Sequence, residues 1–235
     1  MWLRSEYSTN MRNFNITDLA YVKAVDESSI VTNGLILYFE AANKRSYNVG
    51  TTVLDLSGKG NHGIWSGTPV RSDIEGGVFG FSGGSYINAA SVNLYNGAFT
   101  IMNSARWTGG LNRRTLGGIS NNWLLGHWNG YSQCLYSDGW VTAAGAGPTD
   151  TVWRIYTGLG NTVASTYSFY VNGVLNAGPN SNGTHGPFGL RLGSDGFSNE
   201  YSNAYIGFVL AYNRVLTLGE IQQNYRVMKG RYGLL

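Results

Sequence analysis

Phe169-Tyr170-Val171-Asn172-Gly173-Val174-Leu175 is two runs of bulky, strand-favouring side chains with an asparagine–glycine pair between them. Asn and Gly tolerate the positive φ angles of a tight type I′ turn, so the stretch reads as a β-hairpin with antiparallel strands. Outward from it the same texture repeats. From about residue 30, short runs rich in Val, Ile, Tyr, Phe and Thr alternate with glycine and asparagine turns. Strands are expected over 35–39, 78–81, 85–88, 99–106, 122–127, 134–137, 140–143, 152–159, 167–171, 190–193 and 204–212. Many short strands with no helix between them pair antiparallel, which makes the chain an all-β sandwich or barrel over residues 31–235.

One helix is expected, and it comes last, over 217–230. Thr217-Leu218-Gly219-Glu220 has the form of a capping box. Ile221, Tyr225 and Met228 then share one helical face, and Gly230 supplies a stop. The helix is expected to pack on an open end or edge of the sandwich.

Composition supports a folded body. Of 235 residues 34 are Gly and only 4 Pro, with aromatics at 14% and charged residues at 12%, which excludes intrinsic disorder and collagen-like chains. A net charge of +3, spread along the chain, gives no stripe for nucleic acid and no polybasic patch for a membrane. The one cysteine, Cys134, excludes an internal disulfide and a cysteine-rich zinc site. His62, His127 and His185 are not grouped locally as ligands. The longest apolar stretch, Gly34 to Phe39, is too short to span a bilayer.

Residues 1–30 read differently. Trp2, Leu3, Tyr7, Met11, Phe14 and Ile16 are bulky and apolar, yet follow neither strand nor helical periodicity and are too few for a separate core. They are expected to form an extended arm whose large side chains contact another chain. The opening Met1 to Asn15 lacks the apolar segment of a signal peptide, so export by that route is not expected.

Motif matches to known chemistry fail on context. Gly58-Lys59-Gly60-Asn61-His62-Gly63 has the spacing of a dinucleotide-binding loop, but Ile64 to Pro69 cannot open the helix that the phosphates require. Gly80-Phe81-Ser82-Gly83-Gly84 has the spacing of a nucleophile elbow, but another strand follows it. Asp73-Ile74-Glu75 is an acid pair set in a turn rather than on a cleft-lining strand. Gly193 to Glu200 concentrates oxygen ligands around Asp195 and Glu200 and is the one candidate for calcium, although a polar turn explains it equally. No catalytic residue, required metal or cofactor is expected. The cluster Trp123, His127, Trp128, Tyr131, Tyr136 and Trp140 suits either core packing or sugar stacking. On the second reading, the stacking residues are Trp123, Trp128, Tyr131 and Trp140.

Several motifs resemble one family. Gly34-Leu35-Ile36-Leu37-Tyr38-Phe39-Glu40-Ala41-Ala42-Asn43 is similar to the first strand and loop of concanavalin A-like, LamG-type jelly-roll domains, particularly those of tailed-phage virion proteins. Asp55 to Gly63 resembles that family's D-L-S-G-x-G-N-x-G turn, and Gly77 to Gly83 the strand after it. Phe169 to Gly173 resembles its hairpin, and Ile206 to Tyr225 its closing strand and helix. The resemblance implies an antiparallel jelly-roll β-sandwich of concanavalin A-like type, with the N-terminal arm and the C-terminal helix added to it. It also implies a non-enzymatic virion structural protein, a capsid decoration or accessory protein assembled in the host cytoplasm. Its partners would be the major capsid protein or neighbouring copies in a homo-oligomer. The alternative is a carbohydrate-binding module, free or on a tail fibre. The fold hosts both roles.

Overall fold

Two antiparallel sheets face each other across a shared core, and one α-helix lies over the outer face of the first sheet. The computed structural model describes residues 29–145 and 147–232. The arm residues Trp2, Leu3, Tyr7, Met11, Phe14 and Ile16 lie outside the described residues. In chain order the strands are β1 (Leu35–Glu40), β2 (Thr52–Val53), β3 (Gly63–Ser66), β4 (Val70–Ser72), β5 (Val78–Phe81), β6 (Tyr86–Asn93), β7 (Ala98–Asn112) and β8 (Leu116–Gly118). They continue with β9 (Trp123–Trp128), β10 (Tyr131–Ser137), β11 (Arg154–Asn161), β12 (Thr166–Val171), β13 (Val174–Asn180), β14 (Phe188–Leu192) and β15 (Ser202–Tyr212). Helix α1 (Leu218–Lys229) follows.

The first sheet runs β13-β12-β11-β7-β15-β5-β4, with β1 also paired to β15; the second runs β10-β9-β8-β14-β6-β3-β2. The chain is therefore all-β in its body, as expected. At the Asn172-Gly173 hairpin both residues have positive φ, 51° and 75°, and Val171 stands opposite Val174, as a type I′ turn requires. A second hairpin uses the same device. Asn129 and Gly130, at φ 46° and 93°, join β9 to β10 with Trp128 opposite Tyr131. The same asparagine–glycine pair marks this turn in the sequence.

Strand alternation divides the side chains between two clusters. Ile101, Ala105, Tyr156, Val209 and Ala211 of the first sheet meet Ile87, Leu125, Leu135, Leu190 and Leu192 of the second between the sheets. Met102, Ile155, Phe208, Leu210 and Tyr212, of opposite parity, point outward, where Ile221 and Met228 of α1 cover them. The helix thus packs on a sheet face, not on an open end or edge, because β7, β11 and β15 are apolar on both sides and the outer side must be buried. Its capping box is in place: the Thr217 hydroxyl accepts from the Glu220 amide at 3.3 Å, and Glu220 accepts from the Thr217 amide at 2.8 Å. Gly230 lies in the right-handed region at φ −64°, so the helix tightens into a 3-10 turn to Tyr232 rather than stopping there. Asn224 accepts from the Val31 amide at 2.8 Å, and the Tyr212 hydroxyl donates to the Val31 carbonyl at 2.9 Å. The described chain therefore enters on the helix side of the sandwich.

Other local expectations shift. The strand expected over 140–143 is reduced to one bridge between Tyr136 and Trp140. β2, β3, β4 and β8 were not anticipated, being two to four residues long and, in β3 and β8, containing glycine. Asp55 organises the Asp55 to Gly63 turn: its carboxylate accepts from the Tyr38, Ser57 and Asn61 amides at 2.9–3.0 Å. The glycine-rich spacing there serves a turn between strands, not a helix N-terminus.

Candidate functional site

In β9 and β10, Leu125 and Leu135 oppose each other and enter the core, so the next opposed pair, Leu124 and Tyr136, faces outward. The Asn129-Gly130 hairpin places Trp128 on that outer face. The turn after β10, with Asp138 at φ 53°, folds Trp140 back onto Tyr136. The Trp140 ring lies 5.0 Å from Trp128 and 5.1 Å from Tyr136, tilted by 60° and 72°. These rings, with Leu124, bound a cleft of about 220 Å³ at the β9–β10 edge of the second sheet.

Arg114, Asn122 and Glu200 form the polar wall of the cleft. Arg114 is buried; its Nε donates to Glu200, and its Nη1 donates to Asn122 Oδ1 at 2.8 Å and more weakly to the Trp123 carbonyl at 3.4 Å. The Arg114 amide also donates to the Glu200 carbonyl at 3.1 Å. Glu200 is held from below by Asp195, which is fully buried. The Asp195 carboxylate accepts from the Ser198 and Glu200 amides, at 3.2 and 3.0 Å, and from the Ser198 hydroxyl, with Arg114 Nη1 at 4.0 Å. Burial pushes the Asp195 carboxyl pKa upward, but the Ser198 and Glu200 hydrogen bonds and the Arg114 charge outweigh it and hold the group below the usual range. The loop from Ser194 to Glu200 reaches this position by lying against β8. A Cβ on Gly117 would stand 2.8 Å from the Ser194 carbonyl oxygen and 3.0 Å from Asp195 Cα.

Aromatic faces beside fixed polar groups are chemically suited to a ring that is apolar on one face and hydroxylated at its rim. The Glu200 carboxylate can accept from hydroxyls, while the Asn122 amide nitrogen can donate and the Tyr136 hydroxyl can do either.

The structure separates the four expected stacking residues. Trp128 and Trp140 line the cleft. Trp123 is fully buried, its ring 6.4 Å from Phe99 in an edge-on contact, so it is core and offers no face to a ligand. Tyr131 is 40% exposed but outside the cleft, its ring against Gly145. His127 is buried beside Trp107 and Tyr156. The oxygens of Asp195, the calcium candidate, are already engaged by N–H and O–H donors and face a guanidinium. Among the described residues, no group of three or more His, Cys, Asp or Glu is gathered as for a metal. The acid pair is also engaged elsewhere: Asp73 holds Arg71, and Glu75 holds Arg106 and the Trp153 indole N–H. Arg114, Asn122 and Leu124 were missed as site residues, and Glu200 was named only as a calcium candidate. Arg114 and Glu200 are 86 positions apart, and no local signal joins them.

No family model matches the chain, and no curated protein matches it. Solved structures do. The Trypanosoma rangeli sialidase in complex with the inhibitor DANA matches with a TM-score of 0.62 at 16% identity, over 84% of this chain and 33% of its own. The chain thus spans about a third of that sialidase's length. Domain 4 of AbnA, a GH43 extracellular arabinanase from Geobacillus stearothermophilus, in complex with arabinotriose, matches with a TM-score of 0.60 at 16% identity, over 81% of this chain and 98% of its own. Botulinum neurotoxin type C, whose cell entry is dependent upon interaction with two ganglioside molecules, matches with a TM-score of 0.56 at 14% identity, over 83% of this chain and 51% of its own. At such identities the likeness is one of fold, and the fold is a β-sandwich of the jelly-roll type.

Proposed function

We propose that this chain is a carbohydrate-binding module that holds a glycan on Trp128 and Trp140, with Tyr136, Asn122 and Glu200 bonding its hydroxyls. The observation that carries the reading is the cleft itself, in which three aromatic rings stand against a pre-ordered Arg114–Asn122–Glu200 network. About 220 Å³ is less than the roughly 300–1,000 Å³ of pockets that enclose a whole ligand, so the cleft takes part of a chain and leaves the rest in solvent. The arabinanase domain, nearly all of which this fold covers, is a structure with arabinotriose bound, which supports the same reading. The role is binding without cleavage: Glu200 is tied to Arg114, and Asp195 is buried and saturated, which leaves no free acid pair across the cleft.

A glycan array followed by calorimetry tests this reading. Wild-type protein is expected to bind a defined set of oligosaccharides, and Trp128→Ala and Trp140→Ala to lose at least about tenfold in affinity with the fold intact, as expected when about 1.4 kcal/mol of contact is removed. Failure to bind any glycan, or binding that both variants retain, would refute it.

Attachment to a larger assembly is a second reading, favoured by the apolar residues of the 1–30 arm. It includes the virion role expected from the sequence, with a capsid protein or another copy as the partner. The described chain begins at Ser29 on the helix side, across the sandwich from the cleft. A partner held by the preceding residues would leave the cleft free. Deletion of residues 1–28 is expected to abolish self-association or capsid attachment while leaving glycan binding unchanged; full attachment by the truncated protein would refute this role.

A further inference from the structure

We propose that Arg113 makes the cleft selective for an anionic glycan, one carrying a carboxylate or a sulfate beside the sugar ring held on Trp128 and Trp140. This rests on the glycan-binding reading above. Arg113 is exposed and lines a groove of about 380 Å³ with Leu111, Ser198, Asn199, Glu200 and Tyr201. Glu200 also lines the aromatic cleft, so the two depressions meet at that residue. Arg113 Nη1 donates to Asn129 Oδ1 at 2.7 Å, and Asn129 is the residue next to Trp128 in the hairpin. That bond ties the guanidinium, which lines the groove, to the hairpin that carries Trp128.

The charges there differ in how they are engaged: Arg114, Glu200 and the buried Asp195 hold one another, whereas Arg113 stands exposed. Arg71, Arg106, Arg114, Arg154, Arg214 and Arg231 each hold a carboxylate within ion-pair distance. Among the described residues Arg113 makes no such pair, and its Nε and Nη2 hydrogens meet no acceptor. That edge of a guanidinium is the planar fork that grips a carboxylate or sulfate through two parallel hydrogen bonds. Arg114 is shared between Glu200 and the buried Asp195, so the local charge is near zero overall, and a preference for anions rests on the exposed, unpaired fork of Arg113 rather than on a net positive field.

The test is an array of oligosaccharides in matched sets, each neutral sequence beside its uronate and its sulfated form, probed with wild type, Arg113→Gln and Trp140→Ala. The proposal expects wild type to bind an anionic member about tenfold more tightly than its neutral partner, as one charge-assisted contact implies. Arg113→Gln, with an unchanged melting temperature, should bind both members equally, and about 0.5 M salt should erase the preference by screening. The uronate and sulfate arms identify which anion is read. Equal or better binding of neutral members by wild type, or a preference kept in Arg113→Gln, would overturn the inference and leave glycan binding standing. Binding of no member at all would overturn both.

Discussion

His127 carries an imidazole into the space between the sheets, where the Thr115 and Tyr156 hydroxyls lie 3.4 Å from its two nitrogens. Burial pushes its pKa down from 6.5 to about 3, with the Arg154 charge adding to the shift and Asp150 opposing it. The unfolded chain therefore takes up a proton near pH 6.5 that the folded chain refuses until about pH 3. This contribution to stability is complete above pH 6.5 and is lost as pH falls toward 3, by at most about 5 kcal/mol. In urea titrations, His127→Gln should flatten the loss of stability between about pH 6.5 and 4 relative to wild type; identical pH slopes would contradict a buried neutral imidazole. The tryptophans divide by direction. Trp123→Ala should cost about 3–5 kcal/mol of stability as a core truncation, whereas Trp140→Ala should stay within about 1 kcal/mol and act on binding. Equal losses at the two positions would undo the assignment of faces. That difference was not legible in the sequence, because Trp123-Leu124-Leu125-Gly126-His127-Trp128 is apolar on both parities and alternation has nothing to work on.

The elements that the sequence announced are those with local chemistry. Asn172-Gly173 dictates its own turn, and Thr217 with Glu220 dictates a helix start, because the groups that satisfy the backbone are within four residues of each other. β2, β3, β4 and β8 carry no such signal; they are strands only because longer neighbours pair with them. The placement of α1 depends on a surface that is apolar only after three distant strands have come together. Thr217→Ala should lower stability by about 0.5–2 kcal/mol through the lost cap, and an unchanged melting point would sink that assignment. The Arg214 hydrogen bond, followed by those from Thr217, holds Glu220 down at about 2. Its contribution is thus present above its ordinary value of 4.5 and is lost as pH falls from there toward 2. At β8, Gly117→Ala should push the Ser194 to Glu200 loop off the sheet and loosen Glu200 from Arg114. Weakened glycan binding with only modest loss of stability is the expected readout, and wild-type affinity would show that the loop does not set the cleft.

As a whole, the molecule is a sandwich with unlike outer faces. Helix α1 seals the first sheet, and the described chain enters beside it, while the second sheet presents Trp128, Trp140 and Tyr136 on its outer face, with Arg113 exposed nearby. The expected sandwich and its terminal helix are present, and the glycan alternative is better supported than the capsid role by what the open face contains. The site was half legible. Its aromatics stand close in sequence and could be named, but its polar wall joins Arg114 to Glu200, 86 positions away. The most direct test of the glycan site follows the indole N–H resonances of the chain's 7 tryptophans by NMR during titration with the tightest-binding oligosaccharide from the array. The Trp128 and Trp140 signals should move in a saturable way while those of Trp123 and Trp65 in the core stay fixed. Saturable shifts confined to other tryptophans, with Trp128 and Trp140 unmoved, would contradict the assignment of the cleft as the glycan site.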